Sequence, residues 1–233
     1  VTHRTAFKSA CLKYAKANNI PVPAGFTLKD SYGTPARELT KKIQKRAKLY
    51  KTPTGNMTPK TVYTVGKYLP GATVGERAVY AMRCVEGVTE SWGPNSSAYI
   101  REIQTLGVND FGPGAWPWCA ATTSWALRAA GWKSWAAFAK TGTGEAGVIT
   151  WKNAAIAGRY GLSVKSWRTG TTGDLIVFGA DARHIGFLNA RVNPVTGSVQ
   201  TIEGNTPNEV DGREGLWRKS RNAAPPQLVI RVR

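Results

Sequence analysis

Side chains able to do covalent chemistry near neutral pH are few in this 233-residue chain: three cysteines, Cys11, Cys84 and Cys119, and two histidines, His3 and His184. Cys119 has a nucleophile's setting. It opens an apolar run from Cys119 to Ala130 that follows Pro117 and stops at Gly131, which predicts a helix with the cysteine at its N-terminal tip. Unpaired amides and the positive end of the helix dipole favour a thiolate there. The same segment, with Ala120, Ala121 and Trp125 behind the thiol, would also suit a core cysteine. A reacting thiol needs a base or cation beside it, and His184 is the credible one.

His184 lies on a predicted strand after Gly173 to Phe178. Alternation places it on one face with Gly186 and Leu188, and Ile185 and Phe187 on the other. Pairing Val192 with Val199 across the next turn sets Leu188 opposite Glu203 and Gly186 opposite Asn205, so both polar side chains emerge on the His184 face. A slip of one residue would reverse that. A carboxylate or amide accepting from one imidazole nitrogen fixes the tautomer and leaves the other nitrogen for the thiol. Taken singly, a strand histidine is ordinarily structural, Glu203 a solvated charge and Asn205 a turn residue; only together do they make a site.

An odd number of widely spaced cysteines argues against a disulfide framework and leaves at least one thiol free. With two histidines in all, a zinc site would have to recruit distant cysteines or carboxylates, so a metallohydrolase is not expected.

The elements that must carry these residues read as helices first and strands after. Phe7, Cys11, Tyr14 and Ala15 recur at helical spacing, as do Leu39, Ile43 and Ala47. Thr34 with Pro35, and Thr58 with Pro59, mark helix starts, the third helix running through Val62, Val65 and Leu69. Leu69 to Gly75 breaks the pattern, which places a boundary between a basic helical part, residues 1–70, and a larger part, 76–233. Further helices are predicted over Glu76 to Val85 and Ser97 to Leu106. Strands are predicted over Asp174–Phe178, Arg183–Val192, Val199–Glu203 and Leu228–Arg233, with breaks at Gly179–Ala182, Asn193–Gly197 and Pro225-Pro226. This order predicts an α+β fold with an antiparallel sheet.

Composition limits the alternatives. Hydrophobic residues make up 42% and charged residues 20%, with nine tryptophans, so the chain is not a disordered polycation. No window approaches a membrane span, and the N-terminus lacks the apolar core of a secretory signal. Residues 1–70 hold 14 Lys and Arg against Asp30 and Glu38, a net of +12 out of +18 for the chain. Such a field favours a polyanionic partner: nucleic acid, an anionic lipid surface or an anionic wall polymer.

Four ordered blocks, Gly114-Ala-Trp-Pro-Trp-Cys119-Ala-Ala, Gly173-Asp-Leu-Ile-Val-Phe178, His184-Ile-Gly-Phe-Leu188 and Thr201-Ile-Glu-Gly-Asn-Thr206, resemble the CHAP family of cysteine, histidine-dependent amidohydrolases/peptidases. The likeness covers about residues 76–233, including Glu90 to Asn95 and Tyr99 to Gln104. It implies a papain-like fold with Cys119 as nucleophile, His184 as general base, Glu203 as third member and Asn205 in support. Some members carry an acidic calcium loop before the cysteine; here Gly107 to Gly112 holds only Asp110, so neither metal nor other cofactor is expected. Residues 1–70 resemble, less specifically, three-helix peptidoglycan-binding modules, through Ile43-Gln44, Thr54 to Pro59 and Thr61 to Leu69.

The resemblance implies a phage endolysin-type hydrolase of bacterial peptidoglycan. It would be a monomer, held in the host cytoplasm until release to the wall, or carried on the virion, with anionic wall polymers rather than nucleic acid as partners. Trp92, Trp116 and Trp118 are candidates for lining a substrate groove. Alternatives of another class are a catalytically inactive binder of anionic polymer or nucleic acid, and a cysteine protease.

Overall fold

The computed structural model describes residues 2–29, 31–108, 114, 116–140, 146–225 and 227–233. Eight α-helices among the described residues precede an antiparallel six-stranded sheet, so the chain is α+β. The helices are α1 (His3–Ala17), α2 (Thr34–Arg46), α3 (Pro59–Val65), α4 (Val74–Cys84), α5 (Ala98–Gly107), α6 (Cys119–Ala129), α7 (Trp135–Phe138) and α8 (Val148–Ile156). The strands are β1 (Leu162–Lys165), β2 (Leu175–Phe178), β3 (His184–Leu188), β4 (Ser198–Pro207), β5 (Glu214–Asn222) and β6 (Leu228–Val232), in the spatial order β1-β6-β2-β3-β4-β5.

Local chemistry accounts for most helix starts. Thr58 accepts from the Thr61 amide with Pro59 in the first turn of α3, and Thr73 and Glu76 form a reciprocal capping box on α4. At α2 the expectation needs correction: Gly33 is the N-cap and Thr34 is already helical. α3 also stops short of Leu69, giving way to a 3₁₀ turn at Gly66–Tyr68 where Gly66 lies against the Ala129 backbone. β1, β5, α7 and α8 were not expected. β5 hides because Arg218, Lys219 and Arg221 interrupt its apolar residues, and β1 is a four-residue edge strand.

Apolar residues of α1 to α3, among them Phe7, Leu39, Ile43 and Val62, belong to the same buried cluster as Met82, Ile103, Trp125 and Phe187. Polar bonds follow the same seam. The Tyr50 hydroxyl and the Lys60 amide both donate to Glu102 of α5, at 2.8 and 3.1 Å. Buried Gln44 is satisfied by the Thr54 and Gly55 amides, the Asn56 carbonyl and Thr61, which pins the loop before α3.

The sheet is buried on both faces. Leu175, Val177, Ile185, Phe187 and Ile230 join the main core, while Ile176, Leu188, Val199 and Val229 form a smaller cluster with Val192 and Ala223. Buried Asp174 ties three strands together by pairing with Lys165 at 3.1 Å and Arg231 at 2.7 Å. Helix α6 packs closely on the sheet and on α5 because glycines leave room for it: a Cβ at Gly204 of β4 would meet Thr122 Oγ1 at 2.4 Å, and one at Gly107 of α5 the Ala121 carbonyl oxygen at 2.4 Å.

Gly204→Ala should therefore destabilise the fold by about 1–3 kcal/mol through overpacking, and Thr122→Ala should recover part of that in the double variant. Denaturant melts of the three proteins check it; a neutral Gly204→Ala would mean that α6 is free to move away from the sheet.

Candidate active site

Cys119 and His184 both sit at element ends. Cys119 is the first residue of α6 and 6% exposed; His184 is the first residue of β3, with its side chain 20% exposed. The imidazole Nε2 lies 2.9 Å from Glu203 Oε2. Its other nitrogen, Nδ1, is left for Cys119, whose thiol and charge both act on the ring. Burial pulls the imidazolium's pKa down, but the bonds and charges of Cys119 and Glu203 outweigh it and leave His184 raised to about 9.

Glu203 is fully buried. Burial alone would raise its carboxyl; Arg221, His184 and Thr201 together hold it down at about 2. Arg221 grips both oxygens, Nε to Oε1 at 2.9 Å and Nη2 to Oε2 at 2.7 Å, while the Thr201 hydroxyl donates to Oε1. Near neutrality His184 is thus an imidazolium with Cys119 on one side and a fixed carboxylate on the other.

The register that brings Glu203 to His184 differs from the expected one. Leu188 pairs with Thr201 and Phe187 with Ile202, a displacement of two residues. Because side chains alternate with period two, an even slip preserves the face, so Glu203 still emerges beside Gly186 and His184. Gly186 is necessary to this: a Cβ there would stand 2.6 Å from Glu203 Cγ.

Asn205 does something other than orient the ring. The β4–β5 register shifts between Glu203 and Thr206, and Asn205 takes a left-handed φ of 59°. The bulge re-aims its side chain so that Oδ1 accepts from the Trp118 amide at 2.8 Å, fixing the residue that caps α6 just before Cys119. Alternation alone had assigned it to the imidazole.

The tryptophans divide. Trp118 is fully buried with its indole N–H on Glu90 at 3.2 Å, so it packs the core and lines no groove. Trp116 is half-buried against the core. Trp92 is 59% exposed, with the Arg101 guanidinium 5.0 Å from its ring centre.

Sequence reasoning missed Arg221, Thr201 and Gln104. Thr201 shares the Glu203 face of β4 by simple alternation, whereas the matching parity of Arg221 is readable only once β5 is recognised and paired. Gln104, fully buried, exchanges hydrogen bonds with the Gly114 amide and carbonyl and so anchors the approach to Cys119. Asp110 lies outside the described residues, among which no group of three or more His, Cys, Asp or Glu is placed to hold a metal ion. Cys11, Cys84 and Cys119 are all free; burial pushes the Cys84 thiol up to about 12 and raises Cys11 as well, which leaves both inert. No family model, curated protein or solved structure matches the chain.

Since folding raises His184 from 6.5 to about 9, its pairing stabilises the protein below pH 6.5, and that contribution is lost as pH rises through 9. Glu203, lowered from 4.5 to about 2, contributes above 4.5 and loses its contribution as pH falls through 2. In Glu203→Gln the His184 midpoint, followed by the ring-proton NMR shift, should fall from about 9 towards 6.5. A midpoint left at 9 would show that Glu203 does not hold the imidazolium.

Proposed function

We propose that the protein is a peptidoglycan hydrolase of the endolysin type, with a papain-like CHAP domain over residues 76–233 and a basic three-helix wall-binding part over residues 1–70. The observation that carries this reading is the juxtaposition of Cys119 at a helix tip with His184, itself held by buried Glu203. No helix among the described residues is long and apolar enough to cross a membrane.

The chemistry follows from the charges. The Cys119 thiolate attacks an amide carbonyl, and the developing oxyanion is met by amides at the start of α6, which lack intrahelical acceptors. The imidazolium of His184 protonates the leaving amine as the tetrahedral intermediate collapses to a thioester. Neutral His184 then takes a proton from water, whose oxygen attacks the thioester, and collapse expels the sulfur as thiolate beside the imidazolium, which restores the starting pair as the acid leaves. Throughout, Glu203 stays an anion and holds Nε2–H, so the ring presents Nδ1 to the reaction.

The basic part supplies attraction to anionic wall polymer. Lys42, Lys45, Arg46 and Lys48 surround a concavity with Asn18, Asn19, Ile20 and Pro21 between the ends of α1 and α2. Among the described residues none of the four cations pairs with a carboxylate, so their field is open to a partner. No aromatic side chain lines the concavity to stack a base, which favours a base-free polyanion over single-stranded nucleic acid.

Cys119→Ala should abolish clearing of a susceptible cell-wall suspension while leaving co-sedimentation with walls intact; retained clearing would refute the nucleophile. Because α1 to α3 share the common core, targeting is better tested at the surface than by deletion. Replacing Lys42, Lys45 and Arg46 by Gln and Lys48 by Asn should weaken wall sedimentation most at low salt. The slope of log affinity against log salt should become shallower by up to ~3, as for loss of four phosphate contacts on a flexible polyanion. Unchanged binding and slope would remove the targeting role from this concavity.

A further inference from the structure

We propose that Arg221 is a positioning residue of this site, whose guanidinium fork holds the Glu203 carboxylate in the one rotation that presents an oxygen to His184. This role presupposes Cys119 and His184 as the reacting pair but is indifferent to the substrate they act on. Glu203 Cγ fills the place that a side chain at Gly186 would take, which packs the stem of the side chain, but the terminal torsion that turns the carboxylate is broad and needs donors to fix it. Arg221 supplies them. Its Nε and Nη2 bond Oε1 and Oε2 separately, Thr201 adds a second donor on Oε1, and Oε2 is thereby turned to His184 Nε2. The fork is itself fixed: Nη2 also reaches Thr206 Oγ1 at 3.3 Å, and the guanidinium stands 5.3 Å from the Phe178 ring centre. That ring lies 5.6 Å from the His184 ring at 30°, so Phe178 packs against both the clamp and the imidazole it serves.

There is a protonic consequence. The proton between Nε2 and Oε2 belongs on the nitrogen for His184 to act as an acid, yet a buried carboxylate facing an imidazolium alone is inclined to take it. The permanent charge of Arg221 opposes that transfer. Other charged groups facing Arg221 are Glu209, which acts on it at longer range, and Lys219, which already pairs with Glu209 at 3.3 Å. A lysine at 221 would keep a charge but has no planar fork for both oxygens.

The test reads the alkylation rate of Cys119 by iodoacetamide against pH, by peptide mass spectrometry, in the full-length wild type, Arg221→Gln, Arg221→Lys, Glu203→Gln and the Glu203→Gln/Arg221→Gln double variant. Arg221→Gln should slow alkylation at pH 7 by roughly tenfold or more, as expected for a broken buried pair, and move the acid edge of the profile upward. Arg221→Lys should restore the acid edge without the full rate. The double variant, which leaves no unpaired buried charge even if Arg221→Gln folds poorly, should react as Glu203→Gln alone does. A profile for Arg221→Gln that superimposes on the wild type would overturn the role, as would the same slowing in the Glu203→Gln background as in the wild type. Because no wall substrate enters the assay, the expected rates in a protein that fails to clear walls would support the clamp while rejecting the hydrolase reading.

Discussion

A carboxylate withdrawn from water persists as an anion only when donors fill its lone pairs and a cation balances its charge. Glu203 meets both conditions: it is fully buried, receives bonds from Arg221, Thr201 and His184, and stays ionised far below neutrality. The rest of the site depends on this anion. It secures one imidazole nitrogen and stabilises the charged ring, so that the other nitrogen and its proton stand towards Cys119. Replacing any one member changes the protonation of the others, which is why the group behaves as a unit rather than as three separate residues.

The scaffold delivers this arrangement by close approach. Glycines at 107, 186 and 204 remove the side chains that would hold α5, α6 and the sheet apart or push Glu203 off its partner. A bulge at Gly204 and Asn205 lets neighbouring residues of one strand serve two purposes, Glu203 on the imidazole and Asn205 on the amide before Cys119. Short-range geometry of this kind is costly to misplace, since a shift of about 1 Å would break contacts on both sides of β4.

Much of this was legible in the chain. Cys119 at a helix start and His184 on a strand could be read from proline placement and alternation, and Glu203 followed from face parity although the register was displaced by two residues. Parity survives an even slip, which explains why the conclusion outlived its premise. Alternation fails at a bulge, so the real partner of Asn205 was hidden. Arg221 was invisible because β5, whose apolar residues are interrupted by cations, does not read as a strand, and Trp118 looked like a groove residue because local sequence carries no information about the depth at which an indole is buried. The helix start at Thr58 illustrates the opposite case, where capping is local and the chain states it outright.

The most direct measurement is to quench the protein with acid during turnover of soluble wall fragments and search for a covalent intermediate by mass spectrometry. The account predicts an acyl group attached through a thioester to the peptide that contains Cys119, formed before free product accumulates and removed by hydroxylamine. Turnover with no mass added to that peptide, or with the acyl group on another residue, would contradict it.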